Sequence, residues 1–176
     1  MASSYGLSMT DSNYEDLTDC GLSDEQEAEL LRVVKECVFM WTNSDNEAFG
    51  VVMSILPKDG KIWLTCAEAR KRVPALRRFP RASICVNGTG WNLGGSKTIT
   101  YKGTCVIHKD QETKGWFFPE FARHLRPESE VASTAFAKFL DSPNRVVIEF
   151  IPDYKLSYDS AKMWTRSPEV NQGRGR

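Results

Sequence analysis

The fold of this 176-residue chain is indicated best by one stretch, Lys61-Ile-Trp-Leu-Thr-Cys-Ala-Glu-Ala-Arg-Lys-Arg-Val-Pro-Ala-Leu-Arg-Arg-Phe-Pro-Arg81. Its first five residues are mostly apolar and are typical of a β-strand. Six basic residues and no acidic residue follow between Arg70 and Arg81. The rest of the chain brings the net charge to zero, so this positive charge is local.

The basic segment predicts a helix over residues 70–79. Pro74 is tolerated there because it falls near the first turn, where an amide hydrogen is not needed. Pro80 ends the helix. A strand that leads into a basic helix favours phosphate binding, because helix N-terminal amides and arginine side chains can converge at one point.

Within this segment, the residues nearest the strand are the candidate phosphate ligands. Arg70, Lys71 and Arg72 follow the hydroxyl of Thr65, which ends the incoming strand. We expect the later basic residues to lie on the surface, namely Arg77, Arg78 and Arg81. The alternative is that all six form a solvated face that Glu68 and the acidic N-terminal segment balance.

Outside this stretch the pattern is mostly one of short strands. Pro57-Lys-Asp-Gly60 predicts a hairpin turn before the strand at Lys61, and Gly103 predicts a bulge in a long strand over residues 98–107. Two helices are predicted over residues 116–125 and 128–140, before closing strands over residues 145–151 and 154–158. The order favours an α+β protein, mainly β, with an antiparallel barrel that carries helices.

The chain divides into one domain and two terminal segments. Residues 1–22 are polar, acidic and Ser-rich, which predicts a disordered arm. Ser23 and Gln26 then predict a capping box that begins a helix. The domain spans residues 23–165, and a disordered tail follows over residues 166–176.

Composition excludes several classes of protein. A neutral total charge argues against a general nucleic-acid binder. There is no apolar run long enough to span a membrane and no basic-then-apolar signal pattern. The five cysteines are widely spaced with no CxxC pair, which favours buried, reduced thiols over a metal site. We therefore expect a cytoplasmic protein.

Residues that could carry out catalysis are few. The two histidines, His108 and His124, lie in no recognised nucleophile or acid–base motif. The Gly-rich segment over residues 88–95 is not a dinucleotide fingerprint, because it joins two strands. It is predicted to be a long hairpin connection, in which Trp91 could offer a flat surface to a ring system. Local positive charge without a catalytic motif suggests a cofactor that supplies the chemistry.

Residues 62–86 resemble the signature stretch of the pyridoxamine 5′-phosphate oxidase-like, flavin-binding split-barrel proteins. In that family the strand ends in Thr or Ser, and a basic residue, Leu, Pro and a further strand follow. Arg72, Leu76 and Pro80 match these positions, with Arg72 in place of the usual Lys. Arg70 matches a second basic position of the deazaflavin-binding branch. The resemblance extends over about residues 28–160.

The resemblance implies an antiparallel split β-barrel of the FMN-binding type that forms a homodimer, with FMN or a deazaflavin between the protomers. It implies that Thr65, Arg70 and Arg72 hold the cofactor phosphate, with Lys71 beside them. Met53 and Ser54 fall where the family lines the ring. The implied function is that of an oxidoreductase that transfers hydride to or from a small organic substrate.

Two other functions are kept open. The first is a non-catalytic flavin- or haem-binding protein on the same scaffold, for which His108 or His124 would be the axial ligand of haem. The second is a basic helix that binds an acidic partner or nucleic acid without a cofactor. The neutral net charge and the scarcity of aromatic residues among the basic ones count against nucleic acid.

Overall fold

The computed structural model describes residues 16–165, which form one seven-stranded antiparallel sheet, curled into a half-barrel, with five helices. The predicted α+β split-barrel class is therefore confirmed. The strand order is β2-β1-β5-β6-β7-β4-β3. The strands are β1 (Glu36–Thr42), β2 (Ala48–Ser54), β3 (Leu56–Lys58), β4 (Lys61–Ala67), β5 (Arg81–Asn87), β6 (Lys97–His108) and β7 (Arg145–Asp159). The helices are α1 (Asp24–Val33), α2 (Arg72–Arg78), α3 (Gln111–Leu125), α4 (Glu130–Leu140) and α5 (Ser160–Trp164).

The β3–β4 hairpin has the turn that the sequence predicts. Lys58 pairs with Lys61, which leaves a two-residue turn. Asp59 and Gly60 both have positive φ, 54° and 72°. Asp-Gly suits such a turn because both residues tolerate the left-handed region. The strand that leads to the basic segment is thus fixed in register by its own hairpin.

The longest pairing in the sheet joins β6 to β7. Its register shifts between Lys102 and Gly103, so the predicted bulge is confirmed. A Cβ atom at Gly103 would overlap the carbonyl oxygen of Ile151 and lie 2.7 Å from Cζ of Phe150. Only glycine therefore fits there. The prediction of two separate closing strands was wrong, because β7 runs unbroken past the bulge.

Local capping determines where the helices begin. Ser23 and Gln26 form the predicted capping box of α1. The hydroxyl of Tyr101 donates to Glu27 at 2.6 Å and ties this helix to β6. Helix α3 begins earlier than predicted, because the Asp110 carboxylate accepts from the Thr113 amide at 2.7 Å.

Two apolar clusters hold the fold together. The larger one packs the concave face of the sheet with α1 and α2. The smaller one seats the α3–α4 hairpin on β3, β4 and β7, and its buried members are Leu56, Trp63, Phe117, Phe118, Phe121, Leu140 and Val147. Each large side chain buried in this way contributes about 1.5–3 kcal/mol. The hairpin is thereby fixed beside the ends of β4 and β7.

The basic helix is shorter than predicted. Helix α2 begins at Arg72 instead of Arg70, and Phe79 is extended because Pro80 follows it. The Arg70 amide donates to the Ala67 carbonyl at 3.0 Å, and the Val73 amide donates to the Arg70 carbonyl at 2.9 Å. These two amides are therefore not available to a phosphate.

The described chain begins with a packed segment. Cys20 is fully buried, its carbonyl accepts from the Asp159 amide at 2.7 Å, and the Leu22 amide donates to the Ser157 hydroxyl. This part of the predicted arm belongs to the folded unit. Residues 16–19 of the arm are exposed. Residues 1–15 and the predicted tail lie outside the described residues. All five cysteines are free, as predicted. No helix within residues 16–165 is long and apolar enough to cross a membrane.

We expect Gly103→Ala to destabilise the protein by at least 1–3 kcal/mol, the usual cost of overpacking a core. Urea unfolding followed by circular dichroism measures this change. Gly115→Ala is the matched control, since nothing lies within 4 Å of a Cβ there. In the interior of α3 that substitution should stabilise by roughly 0.5–1 kcal/mol. Equal effects of the two substitutions would contradict the packing at the bulge.

Candidate functional site

A cleft of about 480 Å³, here called the arginine cleft, opens where β4 ends and β7 begins. Three arginines, Arg70, Arg72 and Arg145, give it positive charge. The ends of β2 and β4 and the α3–α4 hairpin form its walls. Its other lining residues are Val52, Met53, Ser54, Thr65, Cys66, Ala67, Phe121, Leu125, Phe136 and Leu140.

No carboxylate of residues 16–165 lies within 4.0 Å of any of the three arginines. Other members of the basic segment do have such partners. Arg77 pairs with Glu68 at 2.6 Å, and Arg81 pairs with Asp153. Arg70 and Arg72 therefore differ from Arg77 and Arg81: they line a cleft and have no ion pair within the described residues.

The Arg72 side chain is held in place by Trp41, but one of its hydrogen-bond donors has no acceptor within the described residues. Its guanidinium carbon lies 5.4 Å from the centre of the Trp41 ring, in the range of a cation–π contact. Its Nε atom is buried without a hydrogen-bond partner in the described part of the chain. A buried donor without an acceptor is costly, so an anion in the cleft would suit this residue.

Arg145 completes the cleft, and it lies in no sequence motif. It begins β7 and pairs with Ala67 across the sheet, which places it beside Arg70. Burial lowers the pKa of Arg145, and the positive charge of Arg70 lowers it further. Since strand pairing alone brings these residues together, no local pattern could have found Arg145.

The pKa of the Cys66 thiol is affected by the same positive charge. Burial raises the pKa of its thiol, while Arg72, Arg145 and Arg70 act in the opposite direction. Neighbouring Thr65 donates from its hydroxyl to the Val146 carbonyl at 2.8 Å. Thr65 would have to exchange that hydrogen bond before it could donate to a ligand.

A second cleft of about 590 Å³, here called the apolar cleft, adjoins the first. The two share four lining residues: Val52, Ser54, Leu125 and Phe136. Trp91, which is 48% exposed, stands in its wall. The remaining lining residues are Val34, Lys35, Glu36, Cys37, Val38, Cys85, Asn87 and Arg126. The clefts together form a groove with a cationic end and a largely apolar end.

The structure brings together five of the seven candidate ligands named from the sequence. The arginine cleft contains Met53, Ser54, Thr65, Arg70 and Arg72. Trp91 lines the apolar cleft instead. Lys71 lines neither cleft: its side chain faces a separate pocket with Arg78, because consecutive residues at a helix start point in different directions.

Neither histidine lines the groove. His108 contacts Glu149 through Nε2 at 2.8 Å. Burial, together with the positive charge of Lys35, lowers the pKa of His124. Within residues 16–165, no group of three or more His, Cys, Asp or Glu side chains could hold a metal ion. The groove thus has no histidine in its lining, and Lys35 and Glu36 are its titratable residues besides the arginines and cysteines.

Comparison with solved structures identifies the fold. No protein-family model and no curated protein matches the chain by sequence. A conserved hypothetical protein of Mycobacterium tuberculosis superposes with a TM-score of 0.71 at 17% identity, over 83% of this chain and 90% of its own. A candidate pyridoxamine 5′-phosphate oxidase of Listeria innocua gives 0.57 at 16%, over 76% and 95%. An F420 reductase gives 0.58 at 15%, over 77% and 98%.

The ligands named for proteins of this fold differ. The haem storage protein of Vibrio cholerae also superposes, with a TM-score of 0.57 at 7% identity over 77% of this chain and 93% of its own. Such likenesses establish the fold alone. The chain therefore has the split barrel of the pyridoxamine 5′-phosphate oxidase-like proteins, and the predicted resemblance is confirmed at that level.

Arg145→Gln should abolish most of the thermal stabilisation that inorganic phosphate gives the protein, because it removes one of three cations in the arginine cleft. A ligand at concentration L that binds only the folded state stabilises it by RT ln(1 + L/Kd), so the melting temperature rises further as phosphate concentration exceeds the dissociation constant. Differential scanning fluorimetry across a phosphate series measures the effect. Arg77→Gln, whose arginine pairs with Glu68, is the control and should keep the full response. Identical responses in both variants would refute the cleft as the anion site.

Proposed function

We propose that this protein binds a phosphorylated flavin or deazaflavin in the groove and uses it to transfer hydride to or from a small organic substrate. The observation that carries this proposal is the polarity of the groove. Three arginines that have no carboxylate partner within residues 16–165 lie at one end, and an apolar cleft with Trp91 lies at the other. A planar ring joined to a phosphate has the same polarity.

The cationic end suits a phosphate on electrostatic grounds. Arg70, Arg72 and Arg145 repel one another, and the described chain supplies no carboxylate to offset this. A phosphate dianion would reduce the repulsion and accept charge-assisted hydrogen bonds, which are roughly twice as strong as neutral ones. Ser54 lies where the two clefts meet, and its small side chain leaves room for a ligand that passes from one cleft to the other.

The apolar end suits a ring system. Val52, Leu125 and Phe136 line the passage from the arginine cleft, and burial of a flat ring against them would be favourable. A bound flavin or deazaflavin supplies the hydride chemistry itself. The residues of this chain would hold the phosphate, orient the ring and shield one face from water. This division of labour agrees with the scarcity of acid–base groups in the groove.

Among cofactors, FMN is our first proposal and a deazaflavin our second. Proteins of this fold include an F420 reductase and a FAD-binding protein, which supports both. Haem is less well supported despite the haem storage protein, because neither His108 nor His124 lines the groove and could serve as an axial ligand. The five free thiols suit a reducing compartment, and we place the protein in the cytoplasm.

We further propose that the protein is a homodimer through the convex face of its sheet. Five uncharged residues form one continuous row across five strands, each paired with the next: Val52, Val38, Cys85, Thr100 and Leu156. Val52 is 66% exposed and Leu156 is 65% exposed. Val52 and Val38 also line the apolar cleft, so a second copy on this face would cover the cofactor.

The purified protein should carry or take up a flavin or deazaflavin, which its absorbance spectrum and mass spectrometry of the released ligand identify. Arg70→Ala/Arg72→Ala should weaken binding of FMN by about 100-fold, from the loss of two charge-assisted contacts of about 1.5 kcal/mol or more each. Fluorescence titration measures the dissociation constant. Arg77→Ala/Arg78→Ala, from the same segment, is the control and should bind normally.

Three results would count against this function. Unchanged FMN and deazaflavin affinity in the double variant would remove the phosphate site. A Soret band in place of flavin absorbance would favour the haem-binding alternative. Tight flavin binding with no hydride transfer from NADH or NADPH, or to any tested acceptor, would indicate the non-catalytic alternative.

Leu156→Asp should convert the dimer to a monomer, because it buries a charge within the row of uncharged residues that forms the proposed interface. Size-exclusion chromatography with light scattering measures the mass. Val131→Asp, on α4 away from the sheet and 82% exposed, is the control and should leave the dimer intact. A wild-type monomer at micromolar concentration would overturn the proposed assembly.

A further inference from the structure

A separate pocket of about 310 Å³ lies beside the start of α2. We call it the Phe49 pocket. Its lining combines aromatic, cationic and acidic side chains, and the groove does not include it. Its members are Trp41, Asn43, Ser44, Asp45, Phe49, Lys71, Pro74, Ala75 and Arg78.

The aromatic surface of this pocket is unusually exposed. Phe49 pairs with Trp41 across β1 and β2, and their rings are nearly parallel, 6.0 Å apart with an angle of 23°. Phe49 is nonetheless 49% exposed, whereas Trp41 is buried. Half of a phenyl ring is thus available to a planar ligand. Stacking of a base on such a ring contributes about 1–3 kcal/mol.

The cations of the pocket have no counter-ion. No carboxylate of residues 16–165 lies within 4.0 Å of the charged groups of Lys71 or Arg78. Asp45 is the one carboxylate in the lining. By contrast, Arg77, which adjoins Arg78 in sequence, pairs with Glu68 at 2.6 Å.

We propose that the Phe49 pocket binds a nucleoside 5′-phosphate. The base stacks on Phe49, the phosphate lies against Lys71 and Arg78, and the Asp45 carboxylate accepts hydrogen bonds from the ribose hydroxyls. An acidic side chain plays that part toward ribose in dinucleotide-binding proteins. The pocket has a partner for each of the three parts of such a ligand. Lys71 lies outside the arginine cleft, and in this proposal it binds the phosphate of the nucleotide instead.

Two kinds of molecule carry this chemistry. Arg72 lines the arginine cleft and contacts Trp41, which lines the Phe49 pocket. The nucleotide could therefore be the adenylate half of a dinucleotide flavin whose flavin half occupies the groove. It could equally be a separate nucleotide that binds next to the cofactor.

Isothermal titration with ADP tests the pocket. The wild-type protein should bind ADP at micromolar concentration. Lys71→Ala/Arg78→Ala should weaken this binding at least tenfold, and Phe49→Leu should weaken it severalfold. Arg77→Ala, with its paired arginine, is the control and should match the wild type. No binding of ADP by the wild type, or the same loss in the control as in the double variant, would overturn the proposal.

Titration with FMN and FAD distinguishes the two sources and separates this proposal from the function of the groove. If one dinucleotide fills both sites, Lys71→Ala/Arg78→Ala weakens FAD binding but not FMN binding, and FAD displaces ADP. If the nucleotide is separate, Lys71→Ala/Arg78→Ala leaves FAD binding unchanged, FAD does not displace ADP, and ADP binds to the FAD-saturated protein. Failure of the groove proposal would remove FMN binding alone and leave ADP binding intact.

Discussion

The pairing of β4 with β7 is the constraint on which the rest of the molecule depends. It runs from Ile62 opposite Phe150 to Ala67 opposite Arg145 and joins residues about 80 positions apart in the sequence. One face of this ladder contributes Leu64 and Ile148 to the main core. The other face carries Trp63 and Val147, on which the α3–α4 hairpin is seated. The last pair places Arg145 next to the start of the basic segment. A register shift of one residue would exchange the two faces. The main core, the position of the α3–α4 hairpin and the arginine cleft therefore all depend on this register.

The candidate site is the place where the local chemistry departs from what stability alone would favour. Several surface cations of the same segment and its surroundings are paired, as Arg81 is with Asp153 and Lys109 with Glu68. In the arginine cleft three like charges have no carboxylate partner among residues 16–165, and the Nε atom of Arg72 is buried without an acceptor there. Proteins carry such costs mainly at functional sites. The main core and the seated hairpin offset them, since the free energy of each buried large side chain is comparable with the cost of one unsatisfied group.

The elements that the sequence predicted correctly are those governed by local chemistry. The capping box at Ser23, the Asp-Gly turn before Lys61 and the bulge at Gly103 each depend on residues close in the chain or on a conformation that few residues adopt. The errors had two causes, one local and one tertiary. Helix α2 is shorter than its pattern suggested because a turn forms at Arg70, and β7 continues past the bulge because β6 supplies a partner along its whole length.

For the site, the sequence by itself determined the residue types and the identity of the segment that carries them: Thr65, Arg70 and Arg72 behind a strand, with Arg77 and Arg81 on the surface. Only the tertiary structure decided which cations converge. It added Arg145 through strand pairing, directed Lys71 to another pocket, and placed Trp91 in the neighbouring cleft. The physical reason is that charge and propensity are properties of single residues and short segments. Convergence depends on the register of a sheet whose strands are far apart in the chain, and that register is set by burial of the apolar faces.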